Sequence, residues 1–204
     1  MIAIVVGVNK WKEFTCHFVN TLRDKNPNLD ILLIDNGSDT PYPEGDYILR
    51  RLPATVGYNN ALNFGLTQAG KHDWYILLNN DCECTGNVIK VIEGLDPRKL
   101  YGSGENYDPK SNLLLQWSAW LVVSQAVFQA VGYFDPELEG AFEDFDYELR
   151  AMKEGYALDT ANLPIIHLDK HSRFETPCYN RRWELSRLHY NRKHNLEAPA
   201  WLKC

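Results

Sequence analysis

The chain has 204 residues, 45% of them hydrophobic and 24% charged, with a formal net charge of −6. This composition fits one soluble globular domain that buries roughly 70% of its unfolded surface without staples. The negative balance argues against bulk nucleic-acid binding and leaves room for a divalent cation between acids and a phosphate ligand.

The five cysteines are Cys16, Cys82, Cys84, Cys178 and Cys204. A single C-x-C with no second pair is a poor zinc signature, so reduced thiols in a cytoplasmic protein are expected. In "MIAIVVGVNKWK" the lysines follow the apolar run, whereas a signal peptide has them before it. No run reaches the length of a membrane span.

The pattern predicts an α/β fold. "IAIVVGV" is a continuous β-branched run, suited to a strand buried on both faces. A helix is expected over 11–24, then the strand "DILLID", the turn-rich "NGSDTPYPEG" and a short strand "DYILR". In "VGYNNALNFGLTQAG", Tyr58, Ala61, Leu62, Leu66 and Ala69 fall at helical spacing and Gly70 stops the helix. "DWYILLNND" is another buried strand. Strands alternating with helices imply a mostly parallel central sheet flanked by helices. After about residue 100 the pattern becomes mixed. "LLLQWSAWLVV" gives one or two strands and "SQAVFQAVG" a short helix. "EDFDYELRAMKEG" is a helix with Phe142, Phe145, Leu149 and Met152 on one face, ended by Gly155. "YALDT" and "LPIIHL" are strands, and 178–195 is a basic helix. The expected organisation is a nucleotide-binding half over 1–100, an acceptor and catalytic half over 101–170, and a basic C-terminal segment over 171–204.

Ligands in such sheets lie outside the carboxyl ends of the strands. Asp35 ends "ILLID" and Asp81 follows "YILLNN", on one rim. Each alone also fits turn chemistry, an Asx bond to local backbone.

Five stretches in order carry a resemblance: "ILLIDNGSD", "VGYNNALNFG", "YILLNND", "VGYFDPELEGAFEDFDYELRAMKEGY" and "IIHL". Over roughly residues 2–170 the chain resembles glycosyltransferase family 2, with the GT-A (Rossmann-like) fold. It is most similar to the rhamnosyltransferase-like members, where N-x-D often replaces D-x-D.

The resemblance implies roles. Asp35 would accept an imide N–H from a uracil or thymine base, with Val8 and Asn9 beside it. Gly57 would let the chain approach the nucleotide, and Asn60 would contact ligand or hold the loop; for Asn63 the loop-holding role is favoured. Asp81 would bind Mn²⁺ or Mg²⁺, the metal holding the diphosphate of a UDP or dTDP sugar. Asn79 takes the first triplet position, where it can hydrogen-bond a ribose but adds no charge. Glu83 either supplements the metal site or faces water. His167 matches a metal-coordinating histidine, although a lone histidine after a strand is commonly structural. Asp144 would be the general base of an inverting transfer, and Glu143 would meet the acceptor or orient the loop. Asp146 and Arg150 form a helical ion pair. Acids also simply favour a helix N-terminus.

Between 170 and 193 stand Lys170, Arg173, Arg181, Arg182, Arg187, Arg192 and Lys193, opposed by Glu175 and Glu184. Either this helix is solvated and packs Trp183, Leu185 and Leu188 inward, or it faces an anionic acceptor: a lipid-linked saccharide, a membrane surface or nucleic acid. A saccharide or other hydroxyl-bearing molecule fits equally as acceptor. Trp117 and Trp120 would stack on a sugar or base, or belong to the core. A sugar-nucleotide nucleotidyltransferase should carry a glycine-rich basic phosphate loop, which "VVGVNKWKEF" lacks. A non-catalytic sugar-nucleotide or carbohydrate-binding module would keep Asp35 and could lose Asp144.

Overall fold

The computed structural model describes residues 1–104, 106–108, 113–115, 119–139, 141–168 and 179–195. Trp117, Gly140, Lys170, Arg173, Glu175, Cys178 and Cys204 lie outside the described residues. β1 (Ile2–Gly7) is followed by a π-helical turn, Trp11–Thr15, that opens α1 (Cys16–Lys25). Then come β2 (Asp30–Asp35), β3 (Ile48–Arg51), α2 (Tyr58–Ala69), β4 (Trp74–Asn79), β5 (Cys82–Cys84), α3 (Val88–Ile92) and β6 (Lys99–Gly102). β7 (Asn106–Asp108), β8 (Leu113–Leu115), β9 (Trp120–Ser124), α4 (Gln125–Val131) and α5 (Glu143–Lys153) follow, then β10 (Ala157–Thr160), β11 (Ile165–His167) and α6 (Tyr179–His194).

Seven strands form one sheet in the order β10-β6-β9-β4-β1-β2-β3. β9 is antiparallel to both neighbours, and every other pairing in this sheet is parallel. β1 is buried throughout because its two faces feed two cores. Ala3 and Val5 meet Phe18, Val19 and Leu22 of α1 on one side. Ile2, Ile4 and Val6 meet Ala61, Leu62 and Leu66 of α2 on the other. A strand with no wet face shows no polar alternation. Each fully buried side chain of this kind contributes about 1.5–3 kcal/mol. Gly65 allows the close approach of α2, since a Cβ there would stand 2.7 Å from Ile4 Cγ2.

Two helices bury faces other than those expected. In α5 the buried residues are Asp146, Tyr147, Glu148 and Ala151, while Met152 is 43% exposed. Tyr147 stacks on Phe134 at 4.5 Å, and Phe142 and Phe145 turn toward Tyr190 of α6. In α6, Leu185 and Leu188 are exposed, whereas Ser186, Arg187 and Tyr190 are buried. Hydrophobicity along one helix misses this, because α6 docks through ion pairs as well as aromatic rings. Trp120 is buried in the core beneath the sheet. No helix among the described residues is long and apolar enough to cross a membrane.

Candidate active site

The sheet register sets the site. Gly7 pairs with Asp35, Val6 with Asn79, and Asp35 with Arg51, so four strand ends share one rim. From β1 the chain steps outward through β2 and β3, then returns to the opposite side of β1 with β4. That reversal opens a crevice at the carboxyl ends.

On the β2 side, Asp35 is fully buried. Its Oδ1 accepts the Ser38 N–H (2.9 Å), and its Oδ2 accepts Tyr42 N–H (3.1 Å) and Arg51 Nη1 (2.6 Å). Burial pushes this carboxyl up, and the bonds from Ser38 and Tyr42 together with Arg51 outweigh it, so it sits below its usual value. Asp35 therefore holds the loop in this conformation and presents no surface to a ligand. Its neighbours carry the order outward. Ser38 Oγ accepts Asn9 N–H (2.8 Å), Asn9 Oδ1 accepts Asp39 N–H (2.9 Å), and the Tyr42 hydroxyl donates to Asn9 O (2.6 Å). Asn9 is exposed, with a left-handed φ of 50°, and Val8 beside it is half-buried.

Gly57 has φ 83°, a conformation that disfavours side chains, and precedes α2. Buried Asn36 positions it, accepting Val56 N–H (3.0 Å) and donating to Gly57 O (3.3 Å). Asn60 Nδ2 donates to Val56 O at 3.0 Å, a loop-holding bond. Asn59 and Asn63 tie α2 to the segment before α5. Asn59 donates to Asp135 O and Leu138 O, and Asn63 exchanges two bonds of 2.9 Å with Phe134.

Beyond β4, the antiparallel pair β5–β11 sets His167 opposite Cys82. Leu168 N–H donates to Asp81 O at 2.9 Å, and His167 Nε2 lies 3.2 Å from Asp81 Oδ1. Both side chains are 12% exposed. Glu83 pairs with Ile166, so it lies on the opposite face of this pair from His167, and it lies 3.5 Å from His17. Cys82 and Cys84 are buried thiols outside any disulfide, and burial pushes the Cys84 thiol up.

Tyr58 joins these parts. Its hydroxyl donates to Asn79 Oδ1 at 2.7 Å. Burial raises its pKa well above the usual value, and the nearby carboxylates of Glu143, Asp81 and Asp144 add to that. The charges of three acids from two distant stretches are thus felt at one phenol. Tyr58 and Glu143 also line a recess of about 10 Å³ with Leu62, Leu77, Leu121 and Phe134, at the lower limit for one water. Asp144 is half-buried at the first turn of α5, and its Oδ1 accepts Phe145 N–H at 2.9 Å. Asn79 is thus bonded to Tyr58 and His167 lies against Asp81, the charges of Asp81, Glu143 and Asp144 are felt at Tyr58, and Asp35 lies under the same rim.

Residues 3–108, just over half of the chain, match the family described as Glycosyl transferase family 2. The chain belongs to glycosyltransferase family 2. No curated protein sequence matches this family 2 chain. Among solved structures it is similar to the mannosyltransferase PcManGT from Pyrobaculum calidifontis in complex with GDP-Man and Mn²⁺. The identity is 14%, the TM-score 0.67, and the match covers 98% of this chain and 65% of that one. GalNAc-T7 with UDP, GalNAc and Mn²⁺ matches at 15% identity and TM-score 0.62, over 81% of this chain and 42% of that one. S. aureus TarS matches at 15% and 0.60, over 78% and 35%. At these identities the likeness concerns the fold, which is GT-A, and the chain spans 35% to 65% of these relatives' lengths.

In this family 2 chain Asp81 and His167 could hold a divalent cation. Two ligands about 2.1 Å from one ion at a right angle stand about 3.0 Å apart, close to the observed 3.2 Å. Oxygen and imidazole together suit Mn²⁺. Among the described residues no group of three His, Cys, Asp or Glu could hold a metal alone, so further ligands would come from substrate and water.

Sequence reasoning passed over Tyr58, Asn36, Ser38 and Arg51. Their roles depend on partners about 13 to 21 positions away or more. The one available signal was that Tyr58 opens the helix after a glycine.

Proposed function

We propose that this glycosyltransferase moves a sugar from a nucleoside-diphosphate sugar to an acceptor hydroxyl with inversion, with Asp144 as general base. The observation that supports the reading is His167 against Asp81 at the carboxyl end of the sheet, with the charges of Asp81, Glu143 and Asp144 all felt at Tyr58. The acceptor oxygen attacks the anomeric carbon as its proton passes to the Asp144 carboxylate. The C–O bond to the diphosphate breaks, and its electron pair leaves with the phosphate oxygen. Such a base is worth about 10²–10⁴ in rate. Glu143 orients the acceptor. Asp81 and His167 would hold Mn²⁺ or Mg²⁺, which neutralises charge growing on the leaving diphosphate. Asn79 hydrogen-bonds the ribose or phosphate, and Val8, Asn9 and Gly57 border the base. Asp35 serves the base side through Ser38 and Tyr42, which hold Asn9.

A uridine, thymidine or guanosine diphosphate sugar fits as donor class; two of the similar structures hold UDP or GDP-Man. Residues 1–100 would serve the donor, and 101–170 the acceptor. The test is a panel of UDP, dTDP and GDP sugars with and without Mn²⁺, read by thermal shift and by nucleotide release. Asp144→Asn should lower turnover at least a hundredfold and leave nucleotide affinity within threefold. Tight sugar-nucleotide binding with no turnover by the wild-type chain would instead support a non-catalytic binding module.

A further inference from the structure

The basic helix α6 lies outside the residues matched to the family, and its cations do not all face solvent. Lys193 Nζ lies 2.5 Å from Asp135 Oδ2 and 2.8 Å from Asp146 Oδ1. His194 Nε2 lies 2.8 Å from the same Asp146 oxygen. Lys153 Nζ is 3.1 Å from His194 Nδ1, so an ammonium donates to one ring nitrogen while the other donates to Asp146. His189 adds contacts of 3.0 Å to Asp135 and 3.1 Å to Glu137. Asp146 is fully buried and also takes Arg150 Nε at 2.8 Å.

A second contact lies at the start of α5. Phe142, immediately before Glu143, has φ 70°, a left-handed conformation that strains a non-glycine residue. Its ring stacks on Tyr190 of α6 at 5.3 Å and meets Trp183 at 5.5 Å. The helix that neutralises Asp146 also grips the strained residue ahead of the acids.

We propose that α6 is a positioning element for the acid-bearing end of α5. Lys193 and His194 tie α5 to the Asp135 segment, and Tyr190 holds Phe142 left-handed, so that Glu143 and Asp144 stay turned toward Asp81 and His167. Without Lys193, the carboxylates of Asp135 and Asp146 lose the ammonium they share, and like charges then push α5 away from its neighbour. The groups that border the donor, Asn9, Gly57, Asn79 and Asp81, stand at the ends of β1 and β4 and at the start of α2, so donor binding is expected to stay intact. The effect on turnover rests on the reading of Asp144 as base; the ordering of α5 does not.

The test uses the 204-residue chain with Lys193→Met, Lys193→Arg, Lys193→Met/Asp135→Asn and Tyr190→Leu. Amide hydrogen exchange over residues 143–150 reports the order of α5. Calorimetry with UDP and GDP plus Mn²⁺ reports donor affinity and stoichiometry. Turnover is read with whichever sugar nucleotide the wild type consumes fastest. Lys193→Met and Tyr190→Leu should each speed exchange over 143–150 at least tenfold. They should lower kcat at least tenfold and leave donor KM, nucleotide Kd and binding stoichiometry within twofold. Lys193→Arg should stay within threefold of wild type, and the Asp135→Asn double variant should recover most of the lost rate. Unchanged exchange over 143–150 in both Lys193→Met and Tyr190→Leu overturns the proposal. A fall in nucleotide stoichiometry parallel to kcat also overturns it, since that marks general unfolding. If the wild type consumes no sugar nucleotide, the transferase reading fails, and exchange over 143–150 alone decides the role of α6.

Discussion

The Tyr58 hydroxyl donates to Asn79 Oδ1 at 2.7 Å, and this bond links the first turn of α2 to the last residue of β4. This bond fixes the orientation of the Asn79 amide at the rim. Tyr58→Phe removes one oxygen and lets that amide rotate. Stability should fall by about 1 kcal/mol, and donor KM should rise at least threefold with kcat less affected. Steady-state kinetics beside urea melts check both.

Asp81→Ala and His167→Gln should each weaken Mn²⁺-dependent nucleotide binding at least tenfold. Nucleotide affinity without metal should change less than twofold. A calorimetric titration with Mn²⁺ that is identical to wild type would remove both residues from the metal site.

Stability should fall in two steps as the solution is acidified. Burial lowers the His194 pKa below its ordinary 6.5, against the pull of Asp146. The unfolded chain then binds that proton more tightly, so stability begins to fall as pH drops below about 6.5. Asp35 and Asp146 are buried and Asp135 is half-buried, which raises all three, yet hydrogen bonds and cations hold them below 3.8. Their contribution is complete above about pH 4 and is lost as pH falls through their folded values. Urea melts from pH 8 to 3 should show a one-proton slope and then a steeper one, and His194→Gln should abolish the first.

Asp35→Ala should destabilise the chain by about 3 kcal/mol, because it strands Arg51 and two buried N–H groups. Gly65→Val should cost about 1–3 kcal/mol by forcing α2 off Ile4. Thermal melts measure both, and nucleotide affinity corrected for the folded fraction should survive Gly65→Val.

The continuous run in β1 and the helical spacing in α2 are local patterns, and both elements lie where those patterns put them. β5 and α3 escaped notice because three and five residues carry too little periodicity. The acidic stretch was legible as a helix start and not as a set of distinct fates. Asp144 stays half-buried, while Asp146, two positions on, is wholly enclosed.

The longer strands and helices, the acids at strand ends and the family followed from the sequence alone, because hydrophobic period and motif order are properties of neighbouring residues. Only the tertiary structure decided that Asp35 is saturated by Arg51, that the charges of three acids are felt at Tyr58, and that α6 turns Lys193 and His194 inward while leaving Leu185 and Leu188 in water. A buried charge is stable only with its partners in place, and those partners come from remote parts of the chain that folding alone brings together.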